Sequence, residues 1–182
     1  MKRKVVVLDA GHGGHDPGAT YEGLAEKDIT LSVALIAGGL LVCEGLNAVF
    51  TRVDDTYVSL KDRVRIANEV NASCFVSIHT NADPDPDLPG MPVGRGEEIY
   101  VASLGARGYE LAQHIAYFID NVVPGAFRGI KPAPFYVLKH TKMPAALVEI
   151  GFIDNPDARL YESATRIRAA QAIARGISVF VD

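Results

Sequence analysis

Two histidines and two glutamates stand at points in the sequence from which they could act together on a substrate. His12 follows the apolar run VVVL, His79 ends the run CFVSIH, and Glu149 lies near the end of AALVEI. Glu26 stands where a glycine-rich segment meets a helical pattern. Two imidazoles and a carboxylate are ligand types of catalytic zinc sites, and a further carboxylate can act as general base. The residue types therefore predict a metal-dependent hydrolytic site.

These side chains can meet only if a sheet brings the ends of their strands together. Apolar, β-branched runs bounded by turn residues predict strands at residues 4–8, 47–51, 74–79, 97–102, 134–138 and 145–150. Helical spacing of apolar residues predicts helices at about 28–44, from 59 onward, at 107–122 and at about 163–181. Ligands in open α/β sheets collect outside the carboxyl ends of the strands, so the histidines and Glu149 are expected at one edge.

Alternating strands and helices predict an α/β fold, with a largely parallel, mixed central sheet and helices on both faces. The chain of 182 residues fits a single domain over residues 1–182. Ser59, with Asp62 three residues later, has the pattern of a helix N-cap. Two inward-facing helical stripes are predicted: Leu60, Val64, Ala67 and Val70 on one helix, and Ile167, Ala170, Ala174 and Ile177 on the last.

Charge and composition exclude some classes of partner. A net charge of −4 and a pI near 5.7, with no cluster of Lys and Arg, argue against nucleic acid. No apolar stretch approaches the length of a membrane span, and the N-terminal run is too short for a signal peptide. Cys43 and Cys74 lie within apolar segments and are predicted to be buried thiols.

Several blocks of the sequence resemble one family over essentially the whole chain. The blocks LDAGHGGHDPGA, EKDITL, SLKDRVRIAN, FVSIHTNA, GEEIYV and MPAALVEIGFIDN follow in that order. They resemble the zinc-dependent N-acetylmuramoyl-L-alanine amidases of the Amidase_3 family. The resemblance implies cleavage of the amide between N-acetylmuramic acid and the L-alanine of the stem peptide in peptidoglycan, for wall lysis or remodelling.

The same resemblance implies roles for individual residues. His12, Glu26 and His79 are expected to bind one Zn²⁺ ion, and Glu149 is expected to be the catalytic glutamate. Asn81, just past His79, is expected either to contact substrate or to cap a turn. The implied place of action is the bacterial cell wall, extracellular or periplasmic, for a phage-encoded enzyme or an excised catalytic domain. The sequence does not indicate an oligomeric state.

Alternatives remain at the level of the sequence. Glu22 could replace Glu26 as ligand, although the EKD block favours Glu26. The chain could be a non-catalytic peptidoglycan-binding module of the same fold, or a zinc peptidase that cuts another wall amide. A cysteine mechanism with Cys74 and His79 is disfavoured, because side chains five positions apart on a strand point to opposite faces.

Other residues have no assigned chemistry. No role is expected for three further histidines: His15, His114 and His140. The Asp- and Pro-rich segment at 83–92 is interpreted either as one lip of a substrate groove or as plain surface.

Overall fold

A computed structural model of the chain describes residues 4–83, 94–120 and 122–182. The strands are β1 Val5–Ala10, β2 Thr20–Tyr21, β3 Leu24–Ala25, β4 Asn47–Phe50, β5 Cys74–Asn81, β6 Glu98–Val101, β7 Ile130–Pro132 and β8 Ala145–Phe152. The helices are α1 Glu26–Cys43, α2 Leu60–Glu69, α3 Arg107–Ile119, α4 Tyr136–His140 and α5 Ser163–Val181.

Six strands form one mixed sheet in the order β4-β1-β5-β8-β6-β7, which confirms the predicted fold class. The first four of these run parallel to one another, whereas β6 pairs antiparallel to β8 and parallel to β7. The N-terminal ends of β6 and β7 therefore lie at the same edge as the C-terminal ends of β1, β5 and β8. Residues from five strands can meet at that edge.

Helices cover both faces of the sheet, because alternate strand residues point to opposite sides. Val6 and Leu8 of β1 join a large core with α1, α3 and α5, while Val7 joins a smaller core with α2 and α4. The Ser59 hydroxyl accepts the Asp62 amide at 3.2 Å and caps α2 as predicted. None of the helices in the described ranges combines the length and the apolar character needed to cross a bilayer.

One predicted strand is wrong. Residues 134–138, PFYVL, were expected to be extended, but helix α4 begins at Tyr136 and the sixth strand is instead β7 at 130–132. A five-residue apolar run fits a strand and a helical turn equally well. The helical turn lets consecutive residues Val137 and Leu138 both pack into the smaller core.

Three predicted burial assignments are also wrong. Leu60 and Ile167 were placed on inward stripes but are 54% and 41% exposed, and Cys43 is an exposed thiol at the end of α1. Leu60 occupies the first position of α2, where the helix has not yet reached the core. The glycine-rich segment before α1 also contains the short β2–β3 hairpin. Of the segment at 83–92, residues 84–92 lie outside the described ranges.

A buried charged network lies beneath the functional edge of the sheet. The Asp9 carboxylate, 1% exposed, accepts hydrogen bonds from the Thr51 and Ser77 hydroxyls at 2.6 Å each. Arg63 pairs with it at 2.7 Å and is itself 3% exposed. Burial alone would raise the pKa of Asp9, but Arg63 and the two hydroxyls lower it below its usual value.

Asp9→Asn is expected to destabilise the fold by about 3 kcal/mol at neutral pH, because it leaves the Arg63 charge buried without its counter-ion. The pKa of Asp9 is lower in the folded chain. Its contribution is therefore complete above about pH 5 and is lost as pH falls through the folded pKa. Denaturant unfolding of both proteins across pH measures this difference. Glu69→Gln serves as control, because the side chains of Glu69 and its partner Arg65 are both more than half exposed. Its free energy of unfolding should differ little from that of the wild type. Equal losses for both variants would contradict the assignment.

Candidate metal centre and active site

Four separate elements bring the predicted site residues to one edge of the sheet. His12 follows β1, Glu26 is the first residue of α1, and His79 lies in β5. Glu149 of β8 is the direct register partner of His79. The His12 and His79 rings meet edge to face, with centroids 5.1 Å apart.

Glu26 lies at the centre of this arrangement. One carboxylate oxygen, Oε1, is 2.9 Å from Nδ1 of His79 and accepts the Thr80 amide at 3.0 Å. The other, Oε2, is 3.2 Å from Nε2 of His12 and accepts the Ala19 amide at 3.0 Å. Two backbone amides therefore fix the carboxylate, and it is only 4% exposed. The rival Glu22 lies in the β2–β3 turn and is not part of this cluster.

The separation of the donor atoms suits a small divalent cation. His12, Glu26 and His79 each offer a ligand atom, and these three atoms lie within 4.8 Å of one another. A tetrahedral Zn²⁺ with bonds of about 2.1 Å holds its ligand atoms about 3.4 Å apart. The nitrogen-to-oxygen distances of 3.2 and 2.9 Å around Glu26 are close to that value. These three residues can therefore hold a metal ion of this size.

Electrostatics at the cluster favour a positive charge between these groups. Burial lowers the pKa of His12, but the Glu26 and Asp16 carboxylates outweigh it and raise the pKa to about 9. The pKa of His79 is also raised, since Glu26 and Glu149 outweigh its burial. The pKa of Glu26 is strongly lowered by the two imidazoles, despite its burial. The arrangement thus stabilises cationic charge beside Glu26.

Contacts to both ring nitrogens and to the backbone carbonyl hold His12 in place. Its Nδ1 is 2.9 Å from Oδ2 of Asp16, which directs Nε2 toward Glu26. Its backbone has a φ of 59°, which is uncommon for a residue with a side chain. Arg63 Nη2 donates to the His12 carbonyl at 2.7 Å, and Arg52 Nη2 donates to the Gly11 carbonyl at 2.8 Å. Two buried guanidinium groups therefore hold the backbone at Gly11 and His12 in this conformation.

Two glycines leave the space that the ligands occupy. A Cβ atom on Gly11 would lie 2.4 Å from Cε1 of the His79 ring. A Cβ atom on Gly18, where φ is +66°, would lie 2.5 Å from Oε2 of Glu26 and 2.7 Å from Cδ2 of His12. Side chains at either position would displace the ligands themselves.

The carboxyl group of Glu149 lies in an environment that favours its protonated form. Its Oε2 is buried without a hydrogen-bond partner among the described residues. Burial raises the pKa of Glu149 to about 7, although the nearby imidazole of His79 acts in the opposite direction. A carboxylate poised near neutrality can both accept and return a proton.

A cavity of about 460 Å³ extends from this cluster between α2 and α4. Its polar wall includes His12, His79 and Glu149. The opposite, largely apolar wall is formed by Tyr57, Val58, Leu60, Phe135, Tyr136 and Val137. Leu60 is exposed because it lines this cavity, which the helical pattern did not indicate. The cavity therefore offers an apolar surface beside the cluster.

Asn81 lies beside the site but is engaged by the protein. Its Nδ2 donates to Glu98 Oε1 at 2.6 Å, and its Oδ1 accepts the Ala82 amide at 3.1 Å. The second of these bonds joins adjacent residues at the end of β5, where no turn is formed, so the turn-capping role considered from the sequence stays a prediction. Contact of Asn81 with substrate stays a prediction.

Sequence reasoning missed the residues that support the ligands. Asp16 and Arg63 contact His12, Arg52 binds the carbonyl of the adjacent Gly11, and Glu98 is buried in the next strand beyond Glu149. For Arg63 the available signal was its place in the block SLKDRVRIAN. No role was expected for the remaining histidines, and the metal cluster in the described part of the chain contains none of them. His15 stacks on Tyr57 with ring centroids 4.2 Å apart.

Comparison with known proteins shows the family to which this chain is similar. The family model described as N-acetylmuramoyl-L-alanine amidase, Amidase_3, matches residues 6–179. The sporulation-specific N-acetylmuramoyl-L-alanine amidase of Bacillus subtilis is 39% identical, over 94% of this chain and 64% of that protein. The endolysin of Bacillus phage SPP1 is 38% identical, over 96% of this chain and 65% of that protein. This chain therefore spans just under two thirds of the length of each.

A solved structure matches over nearly all of both chains. The catalytic domain of CwlV, an N-acetylmuramoyl-L-alanine amidase from Bacillus (Paenibacillus) polymyxa, has a TM-score of 0.89 and 34% identity. The alignment covers 98% of each chain. The α/β architecture with its mixed sheet is therefore that of an amidase catalytic domain.

Gly11→Ala is expected to lower metal affinity at least tenfold while every candidate ligand stays in place, because the new methyl group would overlap the His79 ring. Zinc affinity of the purified protein, measured by competition with a chromogenic chelator, reads this out. Gly39→Ala is the matched control, since a Cβ atom there meets nothing within 4 Å and alanine favours the helix. Unchanged affinity in Gly11→Ala would show that the His79 ring is not confined as described.

Proposed function

The chain belongs to the N-acetylmuramoyl-L-alanine amidase family, and we propose that His12, Glu26 and His79 hold one Zn²⁺ ion beside Glu149 as catalytic base. The reaction is hydrolysis of the amide that joins N-acetylmuramic acid to the L-alanine of the stem peptide. The substrate is peptidoglycan, and the place of action is the bacterial cell wall. The protein is thus a wall-lytic or wall-remodelling hydrolase.

A single observation carries this proposal: two imidazoles, one from the loop after β1 and one from β5, converge on one buried carboxylate. The Glu26 oxygens are 2.9 and 3.2 Å from the nearest nitrogens of His79 and His12. Burying a carboxylate is costly unless it is paired, and two amides with two imidazoles supply that pairing. Imidazole and carboxylate donors in this number suit Zn²⁺ with room for water.

The residues of the chain divide the work of hydrolysis. His12, Glu26 and His79 would hold the Zn²⁺ ion, which when bound would lower the pKa of a water ligand to about 7 and would polarise the scissile carbonyl. Glu149 accepts a proton from the attacking water and donates it to the nitrogen of the departing alanine. Its Oε2 has no hydrogen-bond partner among the described residues, so this oxygen can take up the proton between the two steps. Asp16 keeps the His12 ring oriented throughout.

The cavity beside the cluster supports a substrate with an apolar portion. Tyr57, Leu60 and Phe135 line it and are each at least 40% exposed, so they offer apolar contact area to a ligand. The endolysin and the sporulation-specific amidase are similar to this chain at nearly equal identity. Lysis and remodelling are therefore both compatible with the proposed reaction.

Digestion of purified peptidoglycan tests the proposed reaction. We expect new free amino termini on L-alanine and no new reducing sugar ends, with activity lost on chelation and restored by Zn²⁺. Free amino termini on another residue would identify a peptidase that cuts a different wall amide. A zinc-loaded protein that binds the wall and releases nothing would be a binding module.

Glu149→Gln separates the base from the ligands. This variant is expected to retain one zinc per chain by elemental analysis while kcat falls about 100- to 10,000-fold, because only the proton acceptor is lost. Glu110→Gln, at a largely exposed position on α3, is the matched control. Loss of zinc from Glu149→Gln would make Glu149 a ligand and contradict the assigned roles.

A further inference from the structure

A second cluster of charged side chains lies along the same edge of the sheet, one strand beyond Glu149. Glu98 of β6 is the register partner of Glu149, so both side chains point to the same face. Glu98 is 2% exposed, and its Oε1 accepts hydrogen bonds from Asn81 at 2.6 Å and from the Tyr100 hydroxyl at 2.7 Å. Glu98 is thus a buried anion that belongs to neither the ligand set nor the proposed base.

Two cations converge on the other oxygen of Glu98. Arg128 Nε donates to Oε2 at 3.1 Å, and the Lys131 ammonium pairs with the same oxygen. Because both cations share this one carboxylate, Glu98 alone does not neutralise them. The Arg128 and Lys131 side chains are 40% and 39% exposed, so their charge faces solvent while its anchor is buried.

The cations are held in fixed positions, as a binding subsite requires. The Arg128 guanidinium lies over the Phe152 ring, 5.0 Å from its centroid. The Lys131 ammonium is 6.0 Å from the centroid of Tyr100, whose ring packs edge to face on Phe135 at 5.2 Å. Phe135 lines the cavity of the metal site. The cation pair is therefore linked to that cavity by direct contacts.

The distance to the metal site fits a short stretch of peptide. Adjacent strands lie about 4.8 Å apart, so Glu98 is two spacings, about 10 Å, from the strand that carries His79. An extended peptide advances about 3.5 Å per residue, so the Cα atom of the second residue of a stem peptide lies about 5 Å beyond the nitrogen of the scissile amide. The oxygens of a carboxylate on that Cα atom lie about 7 to 8 Å beyond the same nitrogen, and the long Arg128 and Lys131 side chains can span the remaining distance.

We infer that Arg128 and Lys131, anchored by Glu98, form a subsite for a free carboxylate on the second residue of the stem peptide. The inference rests on the proposed amidase function and adds a substrate preference to it. The enzyme then favours stems whose second residue carries a free α-carboxylate over stems in which that group is a carboxamide. A guanidinium and an ammonium bind a carboxylate through charge-assisted hydrogen bonds that a carboxamide cannot match.

Two synthetic substrates isolate this preference. Both are muramoyl-L-alanyl-glutamate compounds in which the γ-carboxyl of the glutamate is amidated, and they differ only in having a free α-carboxylate or an α-carboxamide on that glutamate. We expect the wild type to cleave the carboxylate form with a kcat/KM about five- to tenfold higher, mainly through KM, and less so at high salt. Lys131→Gln and Arg128→Gln are each expected to reduce this ratio to about two or less.

Matched variants distinguish the loss of a positive charge at the subsite from a loss of folding. Lys131→Arg keeps the cation and should keep the preference, while Arg175→Gln removes an exposed cation on α5 and should leave the ratio at the wild-type value. Zinc content and thermal unfolding of each variant confirm that the site is intact.

Each outcome bears on a distinct claim. Wild-type cleavage of both substrates at equal rates would overturn the carboxylate subsite and leave the amidase function standing. A preference that survives in both Gln variants would also overturn it, as would a preference that follows a free γ-carboxyl in a third substrate. Cleavage of neither substrate by the zinc-loaded wild type would remove the amidase function, and the subsite with it.

Discussion

The buried carboxylate of Glu26 is the interaction on which the rest of the site depends. It is 4% exposed, and its two oxygens contact two imidazoles and two backbone amides. Such a group is tolerable only because cationic or donor groups surround it. Placing it at the first position of α1 fixes the start of that helix against the ends of β1 and β5. The metal centre and the helix–sheet junction are therefore one structural unit.

Strand direction explains why so much chemistry lies at a single edge. Four parallel strands end there, and the antiparallel β6 begins there, as does β7. Along this edge the order is metal ligands, then Glu149, then Glu98 with its two cations. In a peptide bound along this edge, the amide to be cleaved would lie beside the metal ligands and Glu149, and the following residue would lie beside Arg128 and Lys131. The antiparallel direction of β6 thus places Glu98 and its two cations beside the metal ligands and Glu149.

Much of the fold and the gathering of the four main site residues could be predicted from the sequence, because strand ends and helix starts carry local signals. Ser59 as a cap and the bounds of α5 are examples. The predictions that were wrong concern features that depend on tertiary contacts. The run PFYVL has no periodicity that separates strand from helix, and the exposure of Leu60 follows from a cavity that no local pattern reveals. The pairing of Glu98 with Arg128 and Lys131 depends on strand register, which a single sequence does not specify.

Anomalous diffraction at the zinc edge, on crystals of the zinc-loaded protein, would locate the ion that these residues are proposed to bind. We expect one strong peak per chain, about 2.0–2.2 Å from a nitrogen of His12, a nitrogen of His79 and an oxygen of Glu26. Glu149 should lie outside bonding distance of that peak. A peak bonded to Glu149, or located away from either histidine, would contradict this expectation.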